Sequence, residues 1–271
     1  MKRLTTNFNM FSFLNNIPQV TKNILLLNVL FFVLKFFFEG QEIDLDRTLG
    51  AYYFNSPLFQ PFQAITHFFM HGGLMHIFLN MWLFVMLGAN LERLWGPKRF
   101  FTFYIASALG AFILYNIIGV YQIEQLKTAL TANQIDLDTF NNIIKNSSSQ
   151  SELLSNAKNY LLSLPDISIS SLDQIQKYLS LTMTPLVGAS GAVFGILAAF
   201  AILFPNTEFL LYFAIPVKAK YLVGAYFLWE LYQSFNGTEG DNVAHLAHVG
   251  GAIVGAAIIL FWRKNDKQNF W

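Results

Sequence analysis

Cysteine is absent from these 271 residues, which removes disulfides, thiolate nucleophiles and cysteine-ligated metal sites together. Charge is scarce as well: 12% of residues are charged, and they balance to a net +1, without the basic stripe that a nucleic-acid partner requires. The first 22 residues lack the short apolar run and small-residue cleavage site of a removable signal peptide, so the first membrane helix is expected to act as the address. What the chain does have is apolar residues in long runs, 54% hydrophobic and 17% aromatic. That is the composition of a polytopic protein in a lipid bilayer.

The expected fold class is an all-α membrane protein, a bundle of six transmembrane helices with one helical extramembrane insertion. The spans are Asn23–Phe38, Leu74–Leu91, Phe100–Val120, Leu186–Phe204, Ala219–Phe235 and Val243–Trp262. An N-terminal segment 1–22 precedes the membrane domain 23–262, and a basic tail 263–271 follows it. Lys35, near the end of a first span rather short for the roughly 20 residues a bilayer needs, is expected to snorkel. Residues 39–60, acidic and then aromatic, read as an interfacial loop. Phe209–Ile215 is too short to cross and reads as interfacial, and 237–242 reads as a tight polar loop.

Residues 121–181 break the pattern by being polar yet periodic. Leu126 and Leu130, then Phe140, Ile143 and Ile144, then Leu153, Leu154, Ala157 and Leu161 recur at helical spacing. Ser149 with Glu152 and Ser170 with Asp173 have the spacing of a capping box, and Ser147–Ser149 reads as a turn. This is the insertion between spans three and four.

With six spans, the connections at 1–22, 92–99 and 205–220 and the tail share one side. That side carries Lys2, Arg3, Lys22, Arg93, Lys98, Arg99, Lys218, Lys220, Arg263, Lys264 and Lys267, against Arg47, Lys127, Lys145, Lys158 and Lys177 on the other. The bias puts both termini in the cytoplasm, with a bacterial inner (plasma) membrane as the expected location.

Spans two, four and six then run in one direction, and each carries its odd polar residues within about two turns of its outer end. These are His76 and Asn80, then Ser190, then His245 and His248. Polar residues in lipid are costly and usually functional. Gly188, Gly191 and Gly195 strip side chains from around Ser190, so another helix can approach it closely. His248, Gly251 and Gly255 share one face of span six by their spacing, so packing glycine stripe on glycine stripe brings His248 to Ser190. A neutral imidazole is the natural base for a serine hydroxyl. His76 and Asn80 could donate hydrogen bonds where an oxyanion develops. No metal and no other cofactor is expected: no acidic residue accompanies the five histidines, and His-Glu-x-x-His is missing. The soluble-hydrolase elbow Gly-x-Ser-x-Gly is missing too, since Ala192 stands at its last position.

The ordered motifs His71-Gly-Gly-Leu-Met-His76-Ile-Phe-Leu-Asn80, Glu92-Arg-Leu-Trp-Gly96-Pro-Lys-Arg-Phe100, Gly188-Ala-Ser-Gly191 and Ala247-His-Val-Gly-Gly-Ala-Ile-Val-Gly255 resemble those of the rhomboid intramembrane serine proteases. The resemblance implies a Ser190–His248 dyad without a third acid, oxyanion donors at His76 and Asn80, and cleavage of transmembrane protein substrates near the outer face. Phe194, four residues after the serine, stands where some members have tyrosine; it can still pack on the imidazole. The insertion exceeds the corresponding connection of the basic bacterial form. A non-catalytic relative that binds or escorts membrane proteins would keep the bundle and lose the dyad, and a channel would need more paired ionisable residues than Lys35 and Glu230 offer. Nothing in the sequence sets an oligomeric state.

Overall fold

A computed structural model describes residues 14–41, 43–147, 150–164, 169–211, 214–236 and 244–265. Four of its helices are long and apolar enough to cross a membrane: α1 (Gln19–Glu39), α4 (Leu74–Trp95), α5 (Pro97–Ala132) and α11 (His245–Asn265). Between α1 and α4 lie the short helices α2 (Leu45–Leu49) and α3 (Gln63–Thr66). Helices α6 (Leu137–Asn146), α7 (Gln150–Leu162) and α8 (Ile169–Met183) follow α5. The very apolar α9 (Ser190–Leu203) comes next, then a hairpin of β1 (Glu208–Leu211) and β2 (Ile215–Lys218), and then α10 (Ala219–Asn236).

Helix ends follow local chemistry. Helix α1 starts before the expected Asn23 because the Glu92 carboxylate accepts from the backbone N–H groups of Val20 and Thr21, at 2.9 and 2.7 Å, and from the Thr21 hydroxyl. It thereby satisfies donors that a helix start leaves orphaned. Helix α4 runs past Leu91 to Trp95 through a π-helical turn at Phe84–Gly88. Gly96 at φ +80 ends it, and Pro97 opens α5. Helix α5 continues to Ala132, so no break occurs at the expected boundary near 121. The helix expected over Leu186–Phe204 is shorter, Ser190–Leu203: Gly188 has φ +118, which breaks the helix, and Leu186 instead pairs with Ala51 in an isolated antiparallel bridge.

The interfacial reading of 39–60 is corrected in part. Ala51, Tyr52 and Tyr53 are core residues, and Tyr53 stacks on Tyr115 of α5 at 4.3 Å. Lys35 turns toward the protein, pairing with Asp46 and donating to the His71 carbonyl at 3.1 Å. Of the 209–215 stretch, Phe209, Leu210, Leu211 and Ile215 belong to the hairpin, with Glu208 opposite Lys218.

Helices α6 to α8 pack on the distal part of α5 and on the loop around Tyr53, forming a second hydrophobic core in which Phe140, Ile144 and Tyr178 are fully buried. Of the periodic residues, Leu130, Phe140, Ile144, Leu153 and Ala157 are buried in it, and Leu126, Ile143 and Leu161 pack against it. Ser170 lies inside α8 rather than before it. The Ser149 cap, the Leu154 side chain and the 237–242 loop fall outside what is described.

Candidate functional site

The site is built on a contact without side chains. A Cβ at Gly251 of α11 would collide with the Gly191 carbonyl of α9, and one at Gly255 would lie 2.6 Å from the Cα of Gly195. Two glycine pairs four residues apart on each helix, in the same order, mean parallel helices touching backbone to backbone. Ala247 O is 3.6 Å from where a Gly191 Cβ would sit. The residue after Ser190 thus meets the residue before His248, and both Ser190 and His248 are nearly buried, at 7% and 8% exposure.

The strand leading to Ser190 is held from two sides. Ala51 and Leu186 exchange N–H···O bonds of 2.9 and 2.7 Å, and Gly188 donates to the His67 carbonyl at 2.9 Å. Helix α9 begins at Ser190, and its first intrahelical bond runs from Val193 N–H to Ala189 O. The Ser190 N–H is therefore among the donors the helix itself leaves unused.

His76 and Asn80 reach the same place from α4. A side chain at Gly188 would lie 2.9 Å from His76 Nε2 and 3.5 Å from Asn80 Nδ2, a second reason beside its positive φ for glycine there. The Gly72 N–H donates to His76 Nδ1 at 3.4 Å. That nitrogen must then carry a lone pair, and the proton of the neutral ring sits on Nε2, facing Gly188. Asn80 is buried, and its Nδ2 has no hydrogen-bond partner among the described residues. Buried donors without partners are rare. Two N–H groups therefore converge two residues before Ser190.

The His248 ring is fixed in its plane by Phe194, which stacks on it at 4.2 Å and 9°; Phe194 also touches the Tyr226 ring at 5.0 Å. His76 is near enough to His248 to interact electrostatically. Here the expectation that no acid accompanies the histidines is corrected. Glu230 of α10, 2% exposed, places its Oε2 2.9 Å from His248 Nδ1 and 2.6 Å from His245 Nδ1. The signal was legible as one acid inside a span, followed by two histidines a turn apart at the start of the next.

His67 stays outside this group, whereas the His71 ring meets the His76 ring edge-on at 5.1 Å. His67 Nδ1 donates to the Gln63 carbonyl at 2.7 Å, since a carbonyl only accepts, so that nitrogen carries the proton. Burial holds the pKa of His67 down to about 4 and that of His71 to about 3.

A family model described as the Rhomboid domain matches residues 58–123 and 162–265, more than half of the chain. The unmatched interval holds the end of α5, α6 and nearly all of α7. An uncharacterized mitochondrial rhomboid protein of Schizosaccharomyces pombe is 44% identical over 79 residues, 29% of this chain and 20% of that protein. A mitochondrial rhomboid-like protein of Arabidopsis thaliana is 27% identical over 207 residues, 76% of this chain and 47% of that protein. The chain thus spans less than half the length of either curated relative.

Proposed function

The chain belongs to the rhomboid family, and from that premise we propose that it is an intramembrane serine endopeptidase with Ser190 as nucleophile and His248 as general base. The observation that carries this reading is the Gly191–Gly251 backbone contact, which sets the two residues at one level of parallel helices. Ser190 Oγ attacks the scissile carbonyl as its proton passes to His248 Nε2. His76 Nε2–H, Asn80 Nδ2–H and the Ser190 N–H receive the developing oxyanion, which gives the unpartnered Asn80 amide its partner. The tetrahedral adduct collapses to an ester on Ser190, His248 returns the proton to the leaving amine, and water then releases the acyl group by the same route.

In this reading α9 and α10 complete a six-span bundle with both termini on the basic side, where Arg99 lies over the Trp262 ring at 4.5 Å. Substrates are membrane-anchored proteins cut near the opposite face. Both relatives carry mitochondrial names, which does not support the bacterial plasma membrane expected from the sequence. The test is cleavage of a membrane-anchored reporter by the full chain in liposomes: wild type cuts, and Ser190→Ala does not. Equal cutting by Ser190→Ala would refute the proposal.

A further inference from the structure

We infer that Glu230 is the positioning residue of this site, a membrane-embedded carboxylate that holds His248 with its proton on Nδ1. This rests on the proteolytic reading above and adds to it, because the resemblance implies a dyad with no acid.

Helix α10 is set apart by what it buries. Leu228, Trp229, Tyr232 and Phe235 are more than half exposed from the protein, while its buried side chains are Ala219 and Glu230. Helix α10 packs Val223 and Phe227 against the core and Tyr226 against Phe194, but apolar packing does not account for a carboxylate turned inward beside them. An ionisable group inside a membrane segment is expensive and finds a partner; here both partners are imidazoles at hydrogen-bond distance from one oxygen.

An ionised carboxylate can only accept, so His245 and His248 both donate through Nδ1. The neutral His248 ring then has its lone pair on Nε2, the form a base needs. Phe194 fixes the plane of the ring and Glu230 fixes its rotation within that plane. When the Ser190 proton reaches Nε2, the imidazolium keeps Nδ1–H, and the carboxylate 2.9 Å away faces the new positive charge while taking no proton itself. The other ionisable groups around it are His245 on α11, Tyr226 on α10 and His76 on α4. His245 braces the carboxylate from the far side.

The test uses full-length protein labelled with 15N-histidine in detergent, read by nitrogen chemical shifts for tautomer, by kcat and KM on a membrane-anchored reporter, and by fluorophosphonate labelling of Ser190. Wild type should show His248 as the Nδ1–H tautomer. Glu230→Gln, whose amide can donate to Nδ1, should move the proton to Nε2 and lower kcat by about 10²- to 10⁴-fold with KM little changed. Glu230→Asp should recover part of kcat. A wild-type His248 in the Nε2–H form would overturn the inference even if both variants failed to fold. So would a Glu230→Gln enzyme with full kcat but a lower melting point, since Glu230 would then only anchor α10. EDTA should leave wild-type cleavage unchanged; loss restored by zinc would assign the three groups to a cation instead. Failure of wild type to label at Ser190 would strike the proteolytic reading itself.

Discussion

Helices α9 and α11 meet backbone to backbone, whereas α6, α7 and α8 meet each other and α5 through Phe140, Ile144, Tyr178 and other ordinary core side chains. The first kind of contact has no slack, because no rotamer can adjust where no side chain exists. It fixes neighbouring atoms closely, which is what positioning a nucleophile and its base demands. The second kind is a jigsaw of side chains that can relax around a change. The proposed chemistry therefore belongs to the first region, and the second is expected to vary with little effect on it.

The backbone contact should fail most severely at Gly251. Gly251→Val drives a side chain into the Gly191 carbonyl, and overpacking of this kind costs about 1–3 kcal/mol or more. A large fall in melting temperature and loss of Ser190 labelling should follow; a variant that still labels at the wild-type rate would show the glycine contact to be dispensable.

Next come the donors on α4. His76→Ala and Asn80→Ala should each lower turnover by roughly 10²- to 10³-fold while the fold survives. Full turnover in the double variant would remove them from the oxyanion site.

A smaller difference concerns acid. All five histidines are at 67, 71, 76, 245 and 248, and burial keeps His67 and His71 neutral, with pKa values of about 4 and about 3 against roughly 6.5 when unfolded. Their folded pKa values are depressed, so the unfolded chain binds more protons below pH 6.5. The stability they confer is complete above that value and declines as pH falls toward 4 and 3. Amide protection factors, taken relative to the slower intrinsic exchange at pH 5, should therefore fall from pH 7 to pH 5 around residues 63–73 and not in α6 to α8. A uniform change would contradict the local origin.

Least affected should be chemistry after damage to the insertion. Phe140→Ala removes a fully buried ring from the second core and should cost about 3–5 kcal/mol of local stability, yet leave Ser190 labelling unchanged. Replacing residues 137–161 by a Gly/Ser linker should do the same while altering relative rates across a panel of membrane-anchored substrates. Lost labelling would mean that the insertion supports the bundle, for instance through the Arg47 bond to the Ser147 carbonyl at 2.7 Å.

How much of this the sequence disclosed follows the same division. The glycine stripes were legible because i, i+3 and i+7 spacing survives any uncertainty in helix ends, and the amphipathic residues of α6 and α7 were legible for the same reason. Helix ends were not. Residues 121–132 are polar, yet Ile123 and Leu130 keep the apolar face of α5 going into the second core, so the helix ignores the change in composition. Leu186–Ala189 is apolar but non-helical because Gly188 adopts a positive φ and Leu186 pairs with Ala51. Lys35 and Glu230 stood out as lone charges, but their partners Asp46, His245 and His248 lie across turns whose geometry no periodicity encodes.

Ser190 and His248 are proposed to act as one unit across the glycine contact, and the direct test is the rate of fluorophosphonate labelling at Ser190 in wild type and His248→Ala. Rapid labelling of wild type, with labelling of His248→Ala reduced to the level of denatured protein despite an unchanged melting temperature, is the predicted result. His248→Ala labelling at the wild-type rate would contradict it.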